Sequence, residues 1–278
     1  MGKKYSITLF LMIFVSLYSF CQGIQIESLN GRLTTSLGME FSNYLYKEPG
    51  FMQETGTRHG FFTEFRLNDF IYSDSFLALQ LLYVGRSIDY DGATMSGDLL
   101  RITDVEDYYL EGRLLRGTVF LKGGSVELHP YFGIGYRYLY DDLGSTRGPG
   151  GYERLQRYIY SPIGIDVIHD CANDFALSLN AEYDLFLWGL NTSGKNLFGD
   201  VGENFHQYGG YGFRFSGKII YKNNRQSTIY LEPFFRYWDI TTSEKIYSFV
   251  EDKESYTYEP NNFTREYGIQ LKLALVMF

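Results

Sequence analysis

From residue 175 to 189 the odd positions are Phe175, Leu177, Leu179, Ala181, Tyr183, Leu185 and Leu187, whereas the even positions include Ser178, Asn180, Glu182 and Asp184. Successive side chains of an extended strand point to opposite faces, so a period of two builds one apolar face and one that carries both acids. A helix would have mixed the two sets. The same split recurs in 126–141, 205–221, 229–238 and 266–277. Segments 32–46, 60–72, 76–90, 108–121 and 152–168 follow it more loosely. Arg116 and Arg157 fall on the apolar parity, which indicates bulges or positions near a rim. The pattern predicts ten strands, and one miscounted hairpin would make eight or twelve.

The links between these segments alternate in length. Short ones fall at 73–75, 122–125, 169–173 and 222–226, and longer polar ones at 47–58, 91–107, 142–151, 190–204 and 241–262. Such alternation suits an even number of antiparallel strands crossing a membrane, with turns on the periplasmic side and loops outside. An open sheet would leave edge N–H and C=O groups unpaired in hydrocarbon. The expected fold is therefore all-β, a closed antiparallel transmembrane β-barrel. Strands of about 16 residues at about 3.3 Å each, tilted near 40°, rise roughly 40 Å, more than the roughly 25 Å apolar band of such barrels. The surplus should project above the membrane.

Composition adds to this picture. With 26 Tyr, 23 Phe, 30 Gly and only 6 Pro, the chain suits many strands. Lys3 and Lys4 followed by a nearly uncharged apolar stretch to Phe20 read as a secretory signal, with cleavage expected after Cys21. That divides the chain into a signal peptide, 1–21, and a barrel domain, 22–278. Two other readings exist. Lipid modification of Cys21 is opposed by the bulky Phe20, and an uncleaved anchor needs roughly 20 apolar residues, which this stretch barely offers. Without Lys3 and Lys4, 23 of the 25 basic residues remain against 33 acids, which argues against nucleic acid as a partner. Cys171 is then alone, so no intramolecular disulfide or cysteine metal site is expected.

The export signal, the Tyr-rich alternating strands, the alternating loop lengths and the C-terminal Phe278 together resemble outer-membrane β-barrel proteins of didermal bacteria. The resemblance implies residence in outer-membrane lipid and insertion by the barrel-assembly machinery, which reads a terminal aromatic. Phe278 departs from that signature, because it is even while Leu271, Leu273, Leu275 and Met277 are odd. More narrowly, Tyr160-Ser161-Pro162-Ile163-Gly164, Glu182-Tyr183-Asp184, Glu232-Pro233-Phe234-Phe235-Arg236-Tyr237-Trp238 and Glu259-Pro260-Asn261-Asn262 resemble segments of a group of bacterial barrel proteins that carries no assigned activity.

Candidate chemistry sits mainly on the polar parity. Its acids are Glu64, Glu111, Glu182, Asp184 and Glu232, with Glu40, Glu127, Asp166 and Glu266. Its bases are Arg66, Arg113, Arg137, Arg214, Lys218 and Arg236, with Arg32, Arg86 and Lys272. Side chains just fill a barrel of about eight strands, and water channels need about 16. Ten strands should thus be largely plugged by paired charges, which leaves a structural or surface-binding role; a narrow pore is the alternative. A second alternative comes from a topological likeness to omptins, ten-stranded proteases whose carboxylates face an Asp/His pair across the barrel mouth. The residues that match in position are Asp89 and Asp91 against Asp200 and His206, although omptins carry Asp-x-His and here the two are six apart. The remaining histidines, His59, His129 and His169, lie apart in sequence and suggest no metal site, and no cofactor motif is present. Tyr247, Phe249, Tyr256 and Tyr258 either contact sugar or protein from the last loop, or extend the wall as strand.

Overall fold

The computed structural model describes residues 33–93, 98–121, 125–143, 152–171, 174–195, 202–223, 227–250 and 253–277. The signal segment 1–21, Asp200 and Phe278 lie outside the described residues. The strands are β1 (Leu33–Glu48), β2 (Met52–Asn68), β3 (Ser75–Ala93), β4 (Leu99–Thr118), β5 (Val126–Leu143), β6 (Tyr152–Asp170) and β7 (Phe175–Lys195). They continue with β8 (Glu203–Gln207), β9 (Gly210–Lys222), β10 (Ser227–Ile240), β11 (Ile246–Val250), β12 (Lys253–Thr257) and β13 (Asn262–Val276). Among the described residues no helix is long and apolar enough to cross a membrane; the strands do the crossing.

Each strand pairs antiparallel with its neighbours, β1 with β13, β13 with β10, β10 with β9, and β6 with β7, so the sheet closes on itself. β8 and β9 both pair with β7, one above the other, and together form a single stave of a ten-stave barrel. The interruption falls at Tyr208 and Gly209, and β9 resumes at Gly210. A Cβ on Gly210 would sit 2.7 Å from the Asp239 carbonyl, and its φ of 152° is one that side-chain-bearing residues rarely take. β11 and β12 form a separate hairpin in the last external link.

The outer wall is apolar. Leu37, Met39 and Phe41 on β1, Phe132, Ile134 and Tyr136 on β5, and Leu177, Leu179 and Leu185 on β7 are all exposed. A closed barrel has no edge to leave unpaired, so its backbone can tolerate lipid, and exposed side chains of this kind belong there. Above this band lies a girdle of rings. Tyr83, Tyr108 and Tyr140 stack along one arc, with centroids 6.0 and 5.1 Å apart. Tyr183, Tyr211, Tyr237 and Phe263 continue along another. Such belts mark the membrane–water interface.

The strands run farther than their hydrophobic pattern does. Segment 47–58 is not a loop: β1 and β2 meet in a tight turn around Gly50, whose φ is 86°, with the Phe51 N–H donating to the Glu48 carbonyl at 3.0 Å. β3, β4 and β7 likewise extend into the predicted loops 91–107 and 190–204. At the other end the prediction overran, since β2 stops at Asn68 and not at Tyr72. Asp69, Ile71 and Asp74 take positive φ there, and the Asp69 carboxylate accepts from the Asp74 N–H at 3.1 Å. Arg116 lies near this turn end, within 6.0 Å of the Phe70 ring. Arg157 is two residues from a break in the β6–β7 register at Ile159/Tyr160.

Candidate functional site

Large side chains fill the lumen where small ones on the adjoining strand make room. The Tyr160 ring lies against Gly135, and the Tyr131 ring against Gly164, so closely that a Cβ at either glycine would collide with the ring. Laid flat in this way, the two phenols reach interior carboxylates: Tyr160 donates to Glu111 at 2.8 Å and Tyr131 to Glu182 at 2.6 Å.

Around them the interior charges fall into tiers. In the tier at mid-membrane, the Arg214 guanidinium donates to both Glu111 oxygens at 2.7 and 2.8 Å and to Asp184 at 2.7 Å, while Arg113 pairs with Glu182. Toward the turn end, Lys218 meets Asp166 at 2.9 Å, Lys272 meets Glu232 at 2.6 Å, and Gln80 bonds Glu64. Arg66 reaches Asn68 and the His129 ring there. These groups line a polar cavity of about 380 Å³. In the tier above, Arg236 grips Glu40 with two bonds of 2.7 and 2.8 Å and also donates to the Tyr109 hydroxyl at 2.9 Å. Tyr109 in turn donates to Glu266 at 2.9 Å. Arg137 stacks 4.0 Å from the Tyr109 ring centre.

A further tier lies at and above the girdle. Arg154 donates to Asp141, Glu48 and Glu54 at 3.0, 3.0 and 2.7 Å, and Arg58 pairs with Asp107. Gln156 donates to the Tyr46 hydroxyl at 3.0 Å, and Tyr46 to Glu48 at 2.8 Å. Glu259 accepts from Asn191. Burial, reinforced by Glu48, pushes the Glu259 carboxyl up to about 8 against the opposing pull of Arg154. Several of these bonds span the full width of the barrel. β4 and β10 are five staves apart in either direction around the ring, as are β1 and β6. The Arg236–Tyr109, Arg154–Glu48 and Gln156–Tyr46 bonds are therefore diameters.

The eleven residues expected to share an interior all face it, in the partnerships just given. Arg58, Glu48, Glu54, Asp107, Arg154 and Glu259 were missed as members. They sit where outward neighbours such as Gln53, Thr55 and Glu106 are polar too, so the two-residue period loses its contrast even though the strand continues.

The structure does not bring the hydrolase candidates together. Asp89 is exposed on the outer face of β3, and Asp91 pairs there with Arg101. His206 points out of the opposite wall, its ring 5.9 Å from Trp188 and 6.3 Å from Tyr208. Its neighbours Phe205 and Gln207 are the ones buried inside. β3 and the β8/β9 stave are five apart, so these groups face away from each other across the whole molecule. Asp200 is not among the described residues.

No protein-family model and no curated relative matches the chain. Among solved structures, the barrel is similar to the outer membrane protease OmpT from Escherichia coli, with a TM-score of 0.61 and 12% identity over 90% of this chain and 98% of that one. The translocator domain of the autotransporter NalP from Neisseria meningitidis gives a TM-score of 0.48 at 9% identity, covering 95% of this chain and 97% of that one. At 12% identity the likeness to OmpT is one of fold. A closed barrel, apolar outside and girdled by aromatic rings, of a shape shared with bacterial outer-membrane proteins, is a protein of the outer membrane.

Proposed function

We propose that the protein is a non-conducting outer-membrane barrel that acts through its external rim, its charged interior serving to hold the lumen shut. The observation that carries this reading is the set of diametral bonds, above all Arg236 to Tyr109 and Arg154 to Glu48, made by side chains that are almost wholly buried. Charges inside such a barrel cannot face lipid, so they pair with one another, and the pairs here span the space that an ion would need. The rim offers a surface suited to contact: Tyr247, Tyr256 and Tyr258 are exposed around the hairpin, with the Lys245 ammonium 3.8 Å above the Tyr256 ring. Rings with one apolar face and one polar tip are common where proteins meet partners.

Folded protein in planar bilayers tests the closed lumen. The expected result is a flat current trace from material whose gel mobility still shifts on heating. Steady unitary steps would overturn it. One observation favours the second reading, a narrow pore, namely the cavity toward the turn end lined by Glu232, Lys218 and Asp166. Under that reading Glu232→Lys changes the ion selectivity of those steps.

A further inference from the structure

Glu54 from β2, Asp107 from β4 and Asp141 from β5 converge beside the girdle on the external side. One carboxylate oxygen of each lies within 4.8 Å of the others, a spread that a single cation bonded at about 2.3–2.6 Å can bridge. All three residues are buried, none more than 1% exposed. The two arginines reach them from the side: Arg154 takes Glu54 Oε1 and Asp141 Oδ2, and Arg58 sits against Asp107. Glu54 Oε2, Asp141 Oδ1 and Asp107 Oδ2 make no hydrogen bond of fitting geometry, and neither do the Arg58 nitrogens beside Asp107. Buried acceptors are seldom left in that state.

A group outside the acid cluster points to the same spot. The Tyr44 hydroxyl, buried on β1, has no hydrogen-bond partner and lies within electrostatic reach of all three carboxylates. Its ring lies against the Arg58 guanidinium, 3.2 Å from centroid to carbon, and so beside the arginine that pairs with Asp107. The local charge is unbalanced as well. Among the described residues the carboxyl groups of Glu48, Glu54, Asp107 and Asp141 share this compartment with only two guanidinium groups, Arg58 and Arg154.

We propose that Glu54, Asp107 and Asp141, with the Tyr44 hydroxyl as a neutral fourth oxygen, form a binding site for a hard divalent cation of the calcium class. An all-oxygen donor set excludes the softer metals that select nitrogen and sulfur. Magnesium sheds its water reluctantly and keeps several molecules of it, whereas calcium accepts a cage made of protein oxygens. Spacing along the chain gave no sign of this site, because its ligands come from three separate strands and meet only when the barrel closes. The site is independent of whether the lumen conducts.

The test uses the full barrel in detergent, stripped with EDTA, and terbium as a luminescent stand-in for calcium. Phenols close to bound terbium sensitise its emission, and Tyr44 is in place to do so. Wild type should show tyrosine-excited emission that calcium displaces, and added calcium should raise its Tm. Asp107→Asn/Asp141→Asn should lose at least tenfold in affinity along with the Tm shift, and Glu54→Gln, the milder second variant, should weaken both. Asp91→Asn, at an exposed acid elsewhere, should change neither. Heat-shifted gel mobility reports folding of each variant. Absence of displaceable emission and of a Tm shift in folded wild type overturns the proposal, since shared protons then hold these oxygens. Unchanged affinity in the variants overturns it equally.

Discussion

Through the membrane, the barrel wall separates hydrocarbon from charge, whereas above the tyrosine girdle both of its faces meet water. The interior follows the same division. In the embedded half the acids have bases beside them: Glu40 and Glu266 with Arg236, Glu111 and Asp184 with Arg214, Glu182 with Arg113, Glu232 with Lys272. In the projecting half carboxylates outnumber guanidinium groups among the described residues, and Glu259 holds its proton toward alkaline pH. The contrast follows from solvation. An unpaired charge surrounded by lipid has no remedy, while one near the external mouth can take a proton, a cation or water.

The largest effect expected from this difference is on Arg236. Arg236→Ala strands Glu40 and Glu266 in the embedded half, and breaking a buried pair from one side costs about 3–5 kcal/mol. The urea midpoint of refolding into lipid measures it, and a loss no greater than that of a surface substitution would remove the distinction between the halves. Next comes Gly135→Val, which drives side-chain atoms into the Tyr160 ring and costs about 1–3 kcal/mol as an overpacked site. The same midpoint should fall while the Glu40–Arg236 tier stays intact.

A smaller effect separates the halves by pH. The folded carboxyl of Glu259 titrates near 8, above its ordinary value of 4.5. The acid therefore favours the folded state fully below about pH 4.5, and that contribution is lost as pH rises through 8. Stability measured in EDTA should decline from pH 5 to 9, and Glu259→Gln should flatten part of the slope. An unaltered slope would mean that other groups carry it. Least of all should change when Asp91→Ala breaks the exposed pair with Arg101, because solvent-exposed ion pairs contribute little. Its melting curve should overlay that of wild type.

The embedded half was legible from sequence because one face of each strand had to be greasy and the other had not. Leu177, Leu179 and Leu185 against Ser178, Glu182 and Asp184 reveal the strand, its sidedness and its interior members at once. Higher up, Glu48, Glu54 and Arg58 lie among Lys47, Gln53 and Thr57, and no parity rule distinguishes them. The direction of His206 was hidden for another reason. β7 carries one extra residue, Leu187, where Ile159 and Tyr160 pair with Trp188 and Phe186, and that bulge reverses which parity faces inward beyond it. Trp188 and His206 consequently point outward, although an unbroken alternation would turn Trp188 into the lumen.

The diametral bonds also constrain how the molecule is put together. β1 and β6, or β4 and β10, become opposite one another only once the ring is complete, so a half-inserted sheet keeps the neighbour-strand pairs Arg154–Asp141 and Arg236–Glu266 but leaves Glu40 and Glu48 on β1 without their arginines. Such an intermediate is strongly disfavoured in hydrocarbon. Assembly should therefore be cooperative, with the charged side chains kept wet until the seam between β1 and β13 zips and the struts engage.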